Sequence, residues 1–178
     1  MNTLYIERST GDARNGEWTE KLLLEPRPER IVVGLGPGSF AGIRSALAFA
    51  QGYRLGCGCE VKGLPSPCAL ADGRPSLAIV GDARQGKFWL AVFEGFDLRG
   101  EIRQLDRDAL AAEVPRTAVI LSPDHRRIGS TLKEIFGDRY EGEALPTDAG
   151  LRRYAEARPD ALVSEPLPIY LNPAVRSN

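Results

Sequence analysis

The run from Gly34 to Gly58, GLGPGSFAGIRSALAFAQGYRLGCG, constrains the fold more than any other stretch of the chain. It leaves a strand-forming segment, Arg30-Ile-Val-Val33, through a glycine-proline-glycine turn. Ser39 then stands where a helix N-cap belongs, with a side-chain oxygen suited to the free amides of the first turn. The helix that follows carries Ala, Gly and Ser where bulk is expected. Each interior glycine costs roughly 1 kcal/mol against alanine, so close packing must offset it. Gly42, Ala46 and Ala50 recur every four residues and share one side of the helix, with Ile43, Leu47 and Tyr53 on neighbouring rows. This face is expected to meet another helix, of this chain or of a second one, through Ser39, Gly42, Ile43, Ala46, Leu47, Ala50 and Tyr53.

Gly34, Gly36 and Gly38 before a helix also have the makings of a phosphate cradle, since backbone amides and the helix dipole attract anions. Their spacing matches neither the Walker A lysine motif nor the GxGxxG of dinucleotide sites. The plainer reading is a tight strand-to-helix elbow.

Composition narrows the functional classes. With 23 Lys and Arg against 24 Asp and Glu in 178 residues, and no block of like charge, unaided binding to nucleic acid is not expected. A single histidine, His125, is too few for the imidazole sets of hydrolytic metal centres, so neither a metal nor a metallopeptidase activity is expected. Three cysteines, Cys57, Cys59 and Cys68, argue against a disulfide framework and read as buried or reduced thiols. The chain has no apolar run of membrane-spanning length, and MNTLYIERST lacks the pattern of a signal peptide, so a cytoplasmic protein is expected.

The clearest element pattern lies in the second half. Residues 77–80 and 87–93 read as a hairpin, the latter buried on both faces, and 101–105 as a third strand. Asp106 reads as an N-cap with Leu105 and Leu110 forming a hydrophobic staple. A fourth strand is expected at 118–121, with helices at 128–136 and 148–157. This is the element order of a ribonuclease-H-like unit. A thinner version precedes it: strands at 3–6, about 18–24 and 31–33, the small-residue helix, and a strand at about 59–61. The expected division is residues 1–72, 73–164 and a tail, 165–178.

Gly36-Pro-Gly-Ser-Phe-Ala-Gly-Ile-Arg44 resembles the Gly-Pro-Gly-Ser-Phe-Thr-Gly-Leu-Arg signature of the TsaB (YeaZ) family. Ile6-Glu-Arg-Ser-Thr10 resembles the family's opening Ile-Asp-Thr-Ser-Thr, Asp82-Ala-Arg-Gln-Gly-Lys87 its Asp-Ala-Arg-x-Gly-Glu turn, and Glu165-Pro-Leu-Pro-Ile-Tyr-Leu171 its closing segment. The resemblance implies an α/β, actin-like fold of two ribonuclease-H-like units. It also implies a non-catalytic scaffold that partners a TsaD-like transferase in making N6-threonylcarbamoyladenosine at position 37 of tRNA. A TsaE-like ATPase and a homodimer are further partners it implies, with tRNA met only through the complex, no cofactor, and no glycoprotease chemistry. Actin-like kinases hold magnesium and nucleotide from the first strand turn, which here maps onto Glu7, Ser9, Thr10, Gly36 and Gly38. Glu7 in place of Asp, followed by Arg8, departs from that pattern. An actin-like kinase relic that binds ATP and a paralogue without a partner remain the alternatives.

The family's long helix before the Gly-Pro-Gly-Ser-Phe strand has no counterpart here, because Pro26 and Pro28 interrupt the short link between Leu24 and Ile31. The Gly42-Ala46-Ala50 face therefore either packs internally or is left bare for another subunit. The second outcome is the expectation.

Overall fold

A computed structural model describes residues 2–10 and 27–171. They fall into two compact units, one from the described part of Met1–Leu70 with Pro146–Ile169, the other from Ala71–Leu145 with the short segment after Ile169. The chain thus leaves the first unit and returns to it. The strand expected near residues 18–24 lies outside the described residues.

In the first unit, β1 (Thr3–Ile6), β2 (Arg30–Gly34) and β3 (Glu60–Leu64) form a parallel sheet in the order β1-β2-β3. Tyr5 pairs with Val32, and Val32 with Lys62. Parallel neighbours need a crossover, and helix α1 (Phe40–Cys57) provides the one from β2 to β3. Such a helix must cover the sheet it crosses. Ile43, Ala46, Leu47 and Ala50 are accordingly buried against Ile6, Ile31, Val33 and Val61.

This corrects the expectation of a bare Gly42-Ala46-Ala50 face. The small residues let α1 lie close to its own unit, and Tyr53 packs at the edge of the same core. A Cβ on Gly42 would stand 2.2 Å from the Arg8 carbonyl oxygen, so the glycine admits the chain that follows β1.

The second unit is built on an antiparallel hairpin, β4 (Leu77–Arg84) and β5 (Lys87–Glu94), to which β8 (Val119–Ser122) and β9 (Tyr140–Glu143) add in parallel. The sheet order is β6-β5-β4-β8-β9, where β6 is Asp97–Leu98, and β7 (Arg103–Leu105) also pairs with β5. That order is the ribonuclease-H-like arrangement the sequence implied. Helix α2 (Arg107–Glu113) is capped by Asp106, whose side chain accepts from the Ala109 amide at 2.8 Å. Helix α3 (His125–Phe136) contributes Ile128, Leu132 and Phe136 to a core with Val80, Leu90 and Ile120. Helix α4 (Asp148–Ala157) belongs to the first unit, where Thr147 caps it and Gly150 lies against the Ala69 carbonyl of the 3-10 turn Ser66–Leu70.

Candidate functional site

The elbow between β2 and α1 carries most of the residues singled out from the sequence. Gly36 and Gly38 both have positive φ, at 90° and 155°, and flank a cis peptide between Gly36 and Pro37. The Gly36 amide donates to Ser66 Oγ at 2.9 Å, and the Ser66 amide returns a bond to the Gly36 carbonyl at 2.9 Å. The Ser39 amide donates to the Ser9 carbonyl at 2.5 Å, while Ser39 Oγ accepts from Gly42 at 3.3 Å. A Cβ on Gly38 would lie 2.2 Å from that Ser9 oxygen.

Glu7 sits beneath this elbow, 5% exposed. Its Oε1 accepts from the Ser9 amide at 2.6 Å and from Ser66 Oγ at 3.1 Å, while its own amide donates to Asp148 Oδ1 at 2.7 Å. Oε2 has no hydrogen-bond partner among the described residues and occupies the space a side chain on Gly34 would fill, 1.9 Å from the position of that absent Cβ. Burial raises the Glu7 carboxyl above the ordinary range, the bonds from Ser9 and Ser66 pull it back, and Asp148 adds to the rise.

The structure thus brings Glu7, Ser9, Gly36 and Gly38 together, with Thr10 exposed at the adjoining turn. What they hold is each other. The carboxylate points into the protein, and the Gly36, Ser39 and Gly42 amides that would face a phosphate are bonded to Ser66, Ser9 and Ser39. The closing segment is tied in beside the elbow, where the Ile169 amide donates to the Leu35 carbonyl at 2.8 Å.

The open surface of α1 lies on its other side. Ala41, Ser45, Ala48, Gly52 and Gly56 are exposed and repeat at intervals of three or four, a stripe opposite the buried one. Leu55, 90% exposed, stands beside it, and Phe40, 56% exposed, flanks its start under the Arg44 guanidinium at 4.8 Å from the ring centroid. A Cβ on Gly52 or Gly56 would meet nothing within 4 Å. Neither glycine is explained by packing within the described chain. Sequence reasoning missed this face because small residues line both sides of α1, and only the Arg8 carbonyl and the sheet distinguish them.

In the second unit, the turn between β4 and β5 is tied down by carboxylates. Asp82 Oδ1 accepts from the Arg84 amide at 2.8 Å, and Oδ2 faces Arg127 Nε at 3.2 Å and Arg84 at 3.6 Å. Asp124 accepts from the Asp82 amide at 2.9 Å and pairs with Arg127 at 2.5 Å. His125 bonds through Nδ1 to the Tyr140 hydroxyl at 2.8 Å. These bonds shape a turn and brace a helix start.

No protein-family model and no curated protein matches the sequence. Solved structures do match along nearly the whole chain. An uncharacterized protein with similarity to peptidase YeaZ from Pseudomonas aeruginosa superposes with a TM-score of 0.73 at 18% identity, over 97% of this chain and 100% of its own. YeaZ from Pseudomonas aeruginosa superposes with a TM-score of 0.70 at 16% identity, over 95% of this chain and 100% of its own. The chain has the YeaZ fold, a mixed α/β fold of the actin-like type. Among the described residues no helix is long and apolar enough to cross a membrane.

Proposed function

We propose that this chain is a TsaB-type scaffold subunit that binds a TsaD-like transferase and supports the formation of N6-threonylcarbamoyladenosine at position 37 of tRNA. The observation that carries the reading is the outer face of α1. Two helical glycines without a packing role among the described residues, set in a small-residue stripe beside exposed Leu55, fit the close approach of a second helix. The Gly36-Pro-Gly-Ser-Phe signature precedes that helix, and the YeaZ-like fold supports the resemblance to a family that implies such a partner.

A non-catalytic role accords with what the elbow residues do. Ser39 Oγ is engaged as a helix cap, Glu7 is turned inward, and His125 is bonded to Tyr140. The tRNA is met through the complex, since the chain's charges nearly cancel.

Co-expression with the TsaD-like subunit of the same organism tests the reading. The two proteins are expected to co-purify, and a deletion strain is expected to lose threonylcarbamoylated tRNA until the gene is restored. Failure to co-purify, together with normally modified tRNA in the deletion strain, overturns it.

A further inference from the structure

At the end of α1 away from its Ser39 cap, Cys57 is the last helical residue and Cys59 leads into β3. Between them Gly58 is left-handed, with φ 72° and ψ 13°. One intervening residue keeps the two Cα atoms within about 7 Å, and a left-handed middle residue draws them into the span of a disulfide. Both side chains turn to the same apolar core, Cys59 buried and Cys57 at the half-exposed rim. The Cys57 thiol donates to the Tyr53 carbonyl at 3.1 Å, and it stands near enough to Cys59 to raise that thiol's pKa. Capping needs neither sulfur, because the Gly58 amide already satisfies the Arg54 carbonyl. Cys68, the third thiol, is buried beside Tyr154.

We propose that Cys57 and Cys59 are a redox pair that closes to a disulfide under a small disulfide oxidant such as oxidised glutathione, reopens with thiol reductants, and thereby regulates partner binding by α1. The regulatory consequence rests on the partner face proposed above; the thiol chemistry does not.

Cys57, the accessible thiol, loses its proton and attacks one sulfur of the oxidant, expelling one glutathione thiolate. Cys59 then loses its proton and attacks the Cys57 sulfur, forming the 57–59 bond and expelling the second. Two electrons pass to the oxidant, and the two protons end on the released thiols. Burial and the neighbouring thiol push Cys59 up to about 11, so the second step is slow at neutral pH and quickens as pH rises. A loop this short gains little from chain entropy, which leaves the bond easily reduced. Closing it takes the Cys57 sulfur from the Tyr53 carbonyl and alters the last turn of α1, where Leu55 and Gly56 are displayed.

The test incubates the full chain with oxidised glutathione at pH 8, quenches with acid, and reads intact mass and alkylation. The expected product has lost two hydrogens, with Cys57 and Cys59 joined in one chain and both recovered by dithiothreitol. Cys59→Ser is expected to stop at a glutathione adduct on Cys57, and Cys57→Ser to give no internal disulfide. A wild-type protein that stays fully alkylated, stops at the adduct, or links two chains overturns the pair. Affinity for the TsaD-like subunit is then expected to differ several-fold between reduced and oxidised wild type and not in the double serine variant. Equal affinities overturn the regulation. A reduced protein that does not bind at all overturns the scaffold reading and leaves the mass result to decide the redox pair.

Discussion

Gly42 and Gly52 lie on different rows of one helix and are present for different reasons. Gly42 admits the Arg8 carbonyl, whereas a Cβ on Gly52 would enter open space. Gly42→Ala is therefore expected to destabilise the protein by about 1–3 kcal/mol through overpacking, while Gly52→Ala stabilises it by about 0.5–1 kcal/mol through helix propensity. Urea unfolding of both variants checks the contrast, and equal effects would show that the two sides are not distinguished. Glu7 gives a second prediction at this scale. Its folded carboxyl keeps a proton to higher pH than the unfolded one, so its contribution is full below the unfolded pKa and is lost as pH rises through the folded value. Stability should fall from about pH 4.5 upward by this group's share, and Glu7→Gln should remove that share of the slope. Identical slopes in wild type and variant between pH 5 and 8 would contradict this account.

Among the elements, the β4–β5 turn shows how side chains hold a backbone that propensity resists. Arg84, Gln85 and Gly86 have successive positive φ values of 69°, 52° and 73°. Left-handed conformation costs a non-glycine residue about 1–2 kcal/mol, so the Asp82 carboxylate has to hold the turn. Asp82→Ala is expected to lower stability by about 1–3 kcal/mol, whereas Arg84→Gly gains backbone ease and loses only an exposed ion pair worth under about 1 kcal/mol. Thermal melts separate the two, and an Asp82→Ala protein as stable as wild type would contradict the assignment. This hairpin was legible in the sequence, as were the Ser39 and Asp106 caps, because each depends on neighbours in the chain. By contrast, β6 and β9 were not. Tyr140-Glu-Gly-Glu143 has one buried residue and is a strand only because β8 offers it a ladder. The inward face of α1 was misread for the same reason, since its direction is set by Arg8 and the sheet and not by its own pattern. Likewise, the position of Glu7 was visible, but its inward turn depends on Gly34 and on Ser66, far along the chain.

For the whole molecule, the four family-like segments lie in different parts of the chain, and they have different fates. Gly36–Gly38 and the Ile6–Thr10 stretch lock together into an elbow, Asp82–Lys87 becomes a braced turn, and the closing segment bonds to Leu35 beside the elbow. None of these presents an open cradle. The outer side of α1 is therefore where the account locates recognition, and it predicts that bulk there harms binding without harming the fold. The most direct measurement is calorimetric titration of the TsaD-like subunit with wild type, Gly52→Leu and Leu55→Asp, each checked for folding by its melt. Wild type is expected to bind tightly and both variants to lose at least tenfold, while each still gives a cooperative melt within a few degrees of wild type. Full affinity in well-folded variants would place the partner surface elsewhere and contradict it.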